Sequence, residues 1–245
     1  MWSAIKKGIY KLLNRPWPIA LTYNGRTLWG WKPLSLFKPH ETETARFFEK
    51  YIRPGMRVAD VGANVGWYTL MFSDLVGSEG MVHAYEPDPR SFSRLEKGAK
   101  YHLKKRRRAN ILLHQEAVTD EEREVKLYGS LGSGRNSTAR SEQGGVVASV
   151  QGVLLPPDID IAKIDVEGGE LDVLQGSRPK AATVEYSFTL LDREVGAGEV
   201  YLAAIRALGY EIFSIDPHGT IHPLIGTPTG QGHINLFVRR VEASV

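Results

Sequence analysis

The sequence predicts an α/β fold in which helices flank a mostly parallel sheet. Five short apolar segments lack strict alternation of polar and apolar residues, which is typical of strands buried on both faces. Helix-like segments separate these strands, so the chain order is that of repeated strand–helix units. The strand-like segments span 58–61, 81–86, 110–118, 159–165 and 183–188. Open sheets of this kind bind ligands at the carboxyl ends of their strands, so a site is expected there.

The other elements complete two predicted parts, an N-terminal extension over residues 1–39 and a main domain over residues 40–245. In the extension, Trp2 to Leu13 has the periodicity of an amphipathic helix, and Asn24-Gly25 predicts the turn of a small hairpin over 23–31. The main domain adds helices over 42–52, 67–72, 91–103, 170–176 and 199–208, a polar excursion with a Gly/Ser-rich loop over 129–145, and strands over 211–215 and 234–239.

Composition agrees with a single soluble globular chain of 245 residues. The net charge is +3. The sequence contains neither an apolar run of about eighteen residues nor a secretory signal, so we expect a cytoplasmic protein. It has no cysteine, which excludes disulfides, thiolate metal sites and cysteine nucleophiles.

A glycine-containing turn after the first core strand predicts a site for a nucleoside-bearing cofactor. The segment Asp60-Val61-Gly62-Ala63-Asn64-Val65-Gly66 ends a strand and precedes a helix, so a ligand can approach its backbone and the helix N–H groups. Asp60 would repel a pyrophosphate and favours a ligand with a positive charge or free amino and hydroxyl groups. S-adenosylmethionine has these features. A turn whose glycines serve only close packing is the simpler alternative.

An acid at the end of the second core strand supports the cofactor site. Glu86 follows the glycine turn at about the spacing of a ribose-binding acid in dinucleotide folds. Pro87 ends the strand and Pro89 can begin the next helix. We expect Pro87 and Asp88 to line the cofactor site with Glu86.

Four segments together resemble the FkbM-type S-adenosylmethionine-dependent methyltransferases. They are Asp60–Thr69, Tyr85–Pro87, Glu116–Val118 and Lys163–Glu170. The resemblance implies a Rossmann-like class I methyltransferase fold: a seven-stranded, mostly parallel sheet with an antiparallel last strand and helices on both faces. It also implies O-methylation of a hydroxyl on a glycan, natural product or other small molecule.

The resemblance also implies which part of the donor each site residue contacts. It implies Asp60 and Asn64 near the methionine end, the backbone of Gly62 and Gly66 along the donor, Glu86 on the ribose hydroxyls, Ala117 and Val118 against adenine, and Asp165 facing the reacting centre.

Carboxylates after the fourth strand are the predicted catalytic groups. Methyl transfer to an alcohol requires alignment of donor and oxygen and removal of a proton from a weakly acidic group. Asp165 or Glu167 could accept that proton or offset the sulfonium charge, and helix N-capping is the alternative role for both. His233 is the best histidine candidate for acid–base work because histidine titrates near neutrality. An exposed residue at a strand end is the simpler interpretation of His233.

Metal assistance is the less favoured variant of this chemistry. Asp165 and Glu185 could supply oxygen ligands to Mg²⁺, but Glu185-Tyr186 stands where related metal-dependent methyltransferases carry an Asp-Asn pair.

Two other functions stay open. A nicotinamide-dependent oxidoreductase is disfavoured because the turn lacks the three-glycine fingerprint, and a nucleoside-binding module without turnover is the non-enzyme alternative.

Two basic segments bear on the partners. Lys104–Arg108 follows a helix, where cations are favoured by the helix dipole, so a solvated helix end is expected. The alternative is a patch for an anionic acceptor such as nucleic acid or a phosphorylated lipid or sugar. Nucleic acid is disfavoured as a partner because no aromatic residues interleave with this run.

Residues 1–15 combine an apolar helical face with four cations and suit docking on the core, on a partner subunit or, peripherally, on an anionic membrane. The predicted primary partner is a small-molecule or glycan acceptor.

Overall fold

The computed structural model describes residues 18–31, 42–129, 145–188 and 196–241. The predicted helix over Trp2 to Leu13 and most of the Gly/Ser-rich loop lie outside these residues. The described residues form an eight-stranded sheet flanked by helices, a three-stranded sheet and a two-stranded hairpin. The predicted α/β fold is therefore confirmed.

The strands within this part of the chain are β1 (Pro18–Tyr23), β2 (Arg26–Trp31), β3 (Arg57–Val61), β4 (Met81–Tyr85), β5 (Ile111–His114), β6 (Ala117–Val118), β7 (Arg123–Gly129), β8 (Gly145–Val153), β9 (Ile161–Ile164), β10 (Ala181–Ser187), β11 (Tyr210–Ile215), β12 (Ile221–Pro223) and β13 (His233–Arg240). The helices are α1 (Thr42–Tyr51), α2 (Trp67–Val76), α3 (Pro89–Arg106), α4 (Glu170–Ser177) and α5 (Ala197–Ala207).

The main sheet has the strand order β12-β11-β13-β10-β9-β3-β4-β5. Its centre is parallel, and β13 runs antiparallel between β10 and β11, as predicted for the last strand. The sheet has one strand more than the predicted seven because β12 pairs with β11 at the edge. The chain folds back there because Asp216 accepts hydrogen bonds from the N–H groups of His218 and Thr220.

Helices cover both faces of the main sheet, and each layer is held by burial of apolar side chains. On one face Phe48 of α1 and Phe72 of α2 pack over Val58 and Ile161. The helix α3 lies on the same side, against β5 and the hairpin strand β2. On the other face α4 and α5 pack against the odd-numbered residues of β3, including Val61.

The third predicted strand, 110–118, divides into two strands in different sheets. His114 ends β5 and its carbonyl accepts from the N–H of Glu86, whereas Thr119, just after β6, donates to Val153 beyond the main sheet. The prediction of one continuous strand was wrong because an apolar run does not reveal where the pairing partner changes. Ala117 and Val118 therefore belong to the three-stranded sheet β6-β8-β7.

The predicted hairpin is confirmed and begins earlier, at Pro18. Asn24 and Gly25 have φ angles of 46° and 74°, and positive values at both positions match the tight turns of two-residue hairpins. Leu28 is fully buried, and the rings of Tyr23 and Trp67 meet edge-on with centroids 5.3 Å apart. The hairpin thus packs on the helical layer over α2, while a boundary between residues 39 and 40 stays a prediction.

Candidate active site

The glycine turn lies at the carboxyl end of β3, where internal hydrogen bonds fix its shape. The N–H of Gly62 donates to the carbonyl of Tyr85, and the N–H of Asn64 donates to the Glu86 carboxylate over 2.7 Å. The φ angles of Gly62, Asn64 and Gly66 are 80°, 50° and 92°. Glycine and asparagine adopt this left-handed region most easily, which explains why these residue types occupy the turn.

Gly62 is also required by close packing, and Gly66 by its positive φ angle. A Cβ atom at residue 62 would lie 1.9 Å from the carbonyl oxygen of Asp165, and one at residue 66 would lie 2.6 Å from Cδ1 of Leu95. Packing and backbone conformation together therefore account for both glycines without a ligand. Contact of their backbone with the donor stays a prediction, and the structure adds that the turn touches the end of β9 directly.

Glu86 is buried behind the turn and binds it. Its Oε2 accepts from the N–H of Asn64 and its Oε1 accepts from the N–H of Asp88 over 2.8 Å. Burial raises the pKa of Glu86 to about 7, although both N–H donors favour the charged form. A carboxylate oxygen has two lone pairs, so each oxygen can still accept a ligand hydroxyl.

Asp60 carries an oxygen for which the described part of the chain supplies no donor. Its Oδ2 accepts from the Thr69 hydroxyl over 2.5 Å, whereas Oδ1 is buried without a hydrogen bond. Burial raises the pKa of Asp60, and the charge of Lys163 opposes that shift. A buried carboxylate oxygen that lacks a partner suits an amino group or a positive charge. These residues therefore fit the methionine end of S-adenosylmethionine.

Lys163 connects the donor side of the site with the end of β9. It lies opposite Asp60 in the register of β3 and β9 and is 2% exposed. Its Nζ lies 2.7 Å from Oδ2 of Asp165 and 4.9 Å from the ring centroid of Tyr68 in α2. Buried charges require such partners, so Lys163 orients the Asp165 carboxylate.

The carboxyl groups of Asp165 and Glu185 hydrogen-bond to each other where β9 and β10 end. Burial alone would raise the pKa of Asp165, but the charge and hydrogen bond of Lys163 hold that pKa below its usual value. Burial and the Asp165 charge raise the pKa of Glu185 to about 8. At neutral pH the pair therefore holds one proton, which resides on Glu185.

Glu167 lies in a turn that the side chain of Glu170 fixes. Oε1 of Glu170 accepts from the N–H groups of Val166 and Gly168, both over 3.2 Å. Glu167 itself has a φ of 57°, and the N-cap position of α4 is Gly169. The alternative role of Asp165 and Glu167 as N-caps is thus not the one that the structure gives them.

The structure brings His233 to the carboxyl pair. Nδ1 of His233 lies 4.0 Å from Oε1 of Glu185, and the ring is 44% exposed. Asn235 is the cross-strand neighbour of Glu185. His233 therefore stands at the border between the carboxyl groups and solvent, with a catalytic role still a prediction.

Other predicted donor residues have structural tasks of their own. The carboxylate of Asp88 caps α3 by accepting from the N–H groups of Arg90 and Ser91, and Pro87 precedes it at the strand end. Ala117 and Val118 are buried in β6. Contacts of these four residues with a donor stay predictions.

Sequence reasoning missed Lys163, Thr69 and Glu170 and saw Glu185 only as a metal ligand. For Lys163 a signal was present: a lone lysine in the apolar strand β9, two residues before Asp165, must share the sheet face of that carboxylate. The bond from Glu170 to its own turn follows no pattern that a single sequence displays.

The described residues contain no group of three or more His, Asp or Glu side chains arranged to hold a metal ion. In the same part of the chain, no helix combines the length and apolar character needed to cross a membrane.

Comparisons with known proteins place the chain. A family profile described as the methyltransferase FkbM domain matches residues 60–212, more than half of the chain. Over 73 residues the chain is 33% identical to protein-L-isoaspartate O-methyltransferase 1 of Arabidopsis thaliana. The matched region covers 29% of this chain and only 28% of that protein.

Two solved structures share the fold. Methyltransferase FkbM from Methylobacillus flagellatus KT has a TM-score of 0.51 at 15% identity, over 80% of this chain and 47% of that chain. A Clostridium thermocellum protein assigned provisionally as an rRNA-methylase has a TM-score of 0.51 at 10% identity, over 85% of this chain and 99% of that chain. At these identities the likeness concerns the fold alone.

Fold and family match together define an S-adenosylmethionine-dependent methyltransferase with a Rossmann-like sheet. The matched region contains the glycine turn, Glu86 and the Asp165 turn. The chain belongs to the FkbM methyltransferase family.

Proposed function

We propose that this methyltransferase acts on a hydroxyl oxygen of a glycan, natural product or other small molecule. The observation that supports this most is the pair of hydrogen-bonded carboxyl groups, Asp165 and Glu185. Asp165 is bound by Lys163, the cross-strand neighbour of Asp60. A neutral amine can attack with its own lone pair, whereas an alcohol must lose a proton of very low acidity. A base next to the donor therefore favours an oxygen acceptor.

On the donor side, the unpartnered oxygen of Asp60 would accept the amino group of the donor, and Glu86 would accept its ribose hydroxyls. Gly62 and Gly66 keep the turn close to the strand ends, and Ala117 and Val118 supply the apolar contact for adenine. When bound, S-adenosylmethionine supplies the methyl group on a positively charged sulfur.

On the acceptor side, the carboxyl pair would take up the hydroxyl proton. The form competent for this task is the pair with both groups ionised, because Asp165 alone is too weakly basic while Lys163 holds its charge. Glu167 and His233 border the pair and would orient the hydroxyl. The positive sulfur of the donor favours the doubly ionised pair by charge.

We further propose that the protein works in the cytoplasm and reaches its acceptor either in solution or at a membrane surface through residues 1–15. The cations in this segment, Lys6, Lys7, Lys11 and Arg15, support the second route.

The proposed function is tested with S-adenosylmethionine carrying a ¹³C-labelled methyl group and a panel of sugars, polyketide-like alcohols and lipid-linked glycans. A methyl ether detected by NMR is the expected product. Methylation of nitrogen or carbon, with hydroxyl compounds untouched, would contradict the proposal. Donor binding without turnover on extracts of the native host would favour the non-catalytic alternative.

The metal-assisted variant is tested in the same assay with EDTA. The metal-free chemistry proposed above predicts full activity in the chelator. Loss of activity that Mg²⁺ restores would instead make Asp165 and Glu185 ligand candidates.

A further inference from the structure

One flank of α3 carries cations at helical spacing. Positions 90, 94, 97, 101 and 104 follow one another at steps of three or four residues, and position 105 is four residues after 101, so their side chains share one side of the helix. Five of them form what is called here the cationic flank: Arg90, Arg94, Lys97, Lys104 and Lys105. The sixth is Tyr101, whose ring lies under the Lys105 ammonium at 5.4 Å.

The remaining lysine and paired arginines in and just after α3 lie off this flank. Arg106 and Arg108 form ion pairs with Asp74 of α2, and Lys100 pairs with Glu96 on another side of the helix. Three of the five residues of the basic run, Lys104, Lys105 and Arg107, are exposed as predicted for a solvated helix end, whereas Arg106 and Arg108 are half-buried in their ion pairs. On the opposite side of α3, the side chains of Leu95 and His102 are buried.

The positive charge of the cationic flank is large relative to the net charge of the protein. It contains no carboxylate, and Arg90, Lys97, Lys104 and Lys105 are exposed while Arg94 is half-buried. The net charge of the protein is only +3, so positive charge is concentrated on this side. At about 1.5 Å rise per residue, the flank extends over roughly 22 Å in a straight line.

We propose that the cationic flank of α3 binds an anionic lipid bilayer surface. A straight row of charges on one side of a helix matches a plane, and each basic residue near an anionic bilayer strengthens binding about fivefold. A single-stranded nucleic acid fits less well because it binds through stacking on exposed rings, and the flank's one ring, Tyr101, is covered by Lys105.

The orientation that follows is suited to an acceptor at the membrane. The flank begins at Arg90, four residues after Glu86, so a docked α3 holds the donor side of the active site next to the lipid headgroups. The hairpin strand β2 packs along α3, and Arg106 donates to the carbonyl of Thr27. Residues 1–15 precede this hairpin in sequence.

The experiment measures co-sedimentation of the full chain with vesicles of phosphatidylglycerol and phosphatidylcholine, and with vesicles of phosphatidylcholine alone. The triple variant Arg94→Gln, Lys97→Gln, Lys104→Gln should bind the anionic vesicles about a hundredfold more weakly than the wild type. The matched control Lys126→Gln, Lys180→Gln, Arg206→Gln removes three exposed cations from other surfaces and should bind as the wild type does.

Three results would overturn the proposal. Equal losses in both triple variants would mean that net charge alone attracts the protein. Wild-type binding by the flank variant would exclude the flank, and wild-type protein that ignores anionic vesicles but shifts single-stranded RNA would replace lipid by nucleic acid. Thermal unfolding of both variants shows that the comparison concerns folded protein, and the result is independent of which acceptor atom is methylated.

Discussion

The proposed role of Glu86 makes donor binding depend on the charge state of a buried carboxyl group. With a pKa of about 7, roughly a tenth of Glu86 is ionised at pH 6 and nine tenths at pH 8. Only the ionised form accepts hydrogen bonds through both oxygens. Calorimetry with the demethylated donor product should therefore give about tenfold tighter binding at pH 8 than at pH 6.

The variant Glu86→Gln separates this effect from other titrations. It should bind about tenfold to a hundredfold more weakly at pH 8, because hydrogen bonds to a charged acceptor are worth about 1.5–3 kcal/mol. It should also lose the dependence on pH. An unchanged affinity, or preferential binding of NAD, would remove Glu86 from the donor site.

The Asp165–Glu185 pair makes a second prediction for pH. Turnover should rise through about pH 8, because deprotonation of Glu185 creates the doubly ionised pair. In Asp165→Asn the neighbouring negative charge is gone, so the midpoint of the profile should move to lower pH while donor affinity changes little. Glu167→Gln should lower the midpoint less than Asp165→Asn does, because the Glu167 charge contributes less than the Asp165 charge to the raised pKa of Glu185.

The alternative outcomes are also distinct. If Asp165 alone is the base, Asp165→Asn should lower turnover by about a hundredfold or more at every pH. If His233→Asn, and not Asp165→Asn, changes the pH profile of turnover, the His233 imidazole is the group that accepts the proton.

The sequence was sufficient to identify candidate site residues at the ends of predicted strands. Asp60, Glu86 and Asp165 could be found because a carboxylate after an apolar run is visible in one dimension. The role of Glu185 was not visible, since its raised pKa depends on Asp165, a residue of another strand that only the sheet brings near. Likewise, Gly62 was predicted for the ligand, while its nearest obstacle is the Asp165 carbonyl.

At the scale of elements, the contact between the glycine turn and β9 predicts an unequal cost for two glycine substitutions. Gly62 and Gly226 both have positive φ, 80° and 73°, but a Cβ at Gly226 meets nothing within 4 Å. Gly226→Ala should therefore cost only about 1–2 kcal/mol for its backbone conformation. Gly62→Ala should exceed it by about 1–3 kcal/mol or more, because it overpacks the interior.

Urea unfolding of the two variants measures this difference in the free energy of unfolding. Equal losses would mean that the turn and the end of β9 separate readily. In that case the coupling of donor turn and reacting residue described above would be wrong.

Element type was more predictable than element pairing. The strands β3, β4, β9 and β10 and the helix α1 lie close to their predicted positions because their apolar periodicities are unambiguous. The division of 110–118 into β5 and β6, and the additional strand β12, depend on partners distant in sequence. Hydropathy records burial but not which neighbour supplies the hydrogen bonds.

At the scale of the whole molecule, residues 1–15 and the cationic flank of α3 predict additive binding to anionic vesicles. Replacing Lys6, Lys7 and Lys11 by Gln should lower binding by about a hundredfold on its own, as each cation contributes about 1 kcal/mol. The losses of separate surfaces add, so combining this variant with the flank variant should multiply them. About 0.5 M salt should abolish binding, because screening shortens the reach of each charge.

The measurement is co-sedimentation, with oligomeric state followed by light scattering. A Lys6, Lys7, Lys11 variant that keeps vesicle affinity but changes its mass would mean that the segment docks on another subunit. Either result decides between the alternatives that the sequence left open.

The small sheet β6-β8-β7 lies between β5 and β9 in sequence, and its described residues share no ladder with the main sheet. This arrangement makes the segment suitable for exchange with the corresponding segment of a homologue. Swapping residues 123–150 keeps Asp60, Glu86, Lys163, Asp165 and Glu185 on their own strands, as well as the β6 pairing partners at residues 152 and 153. A chimera of this kind retains the candidate site residues, so a change in the compounds that it methylates would be due to the exchanged segment.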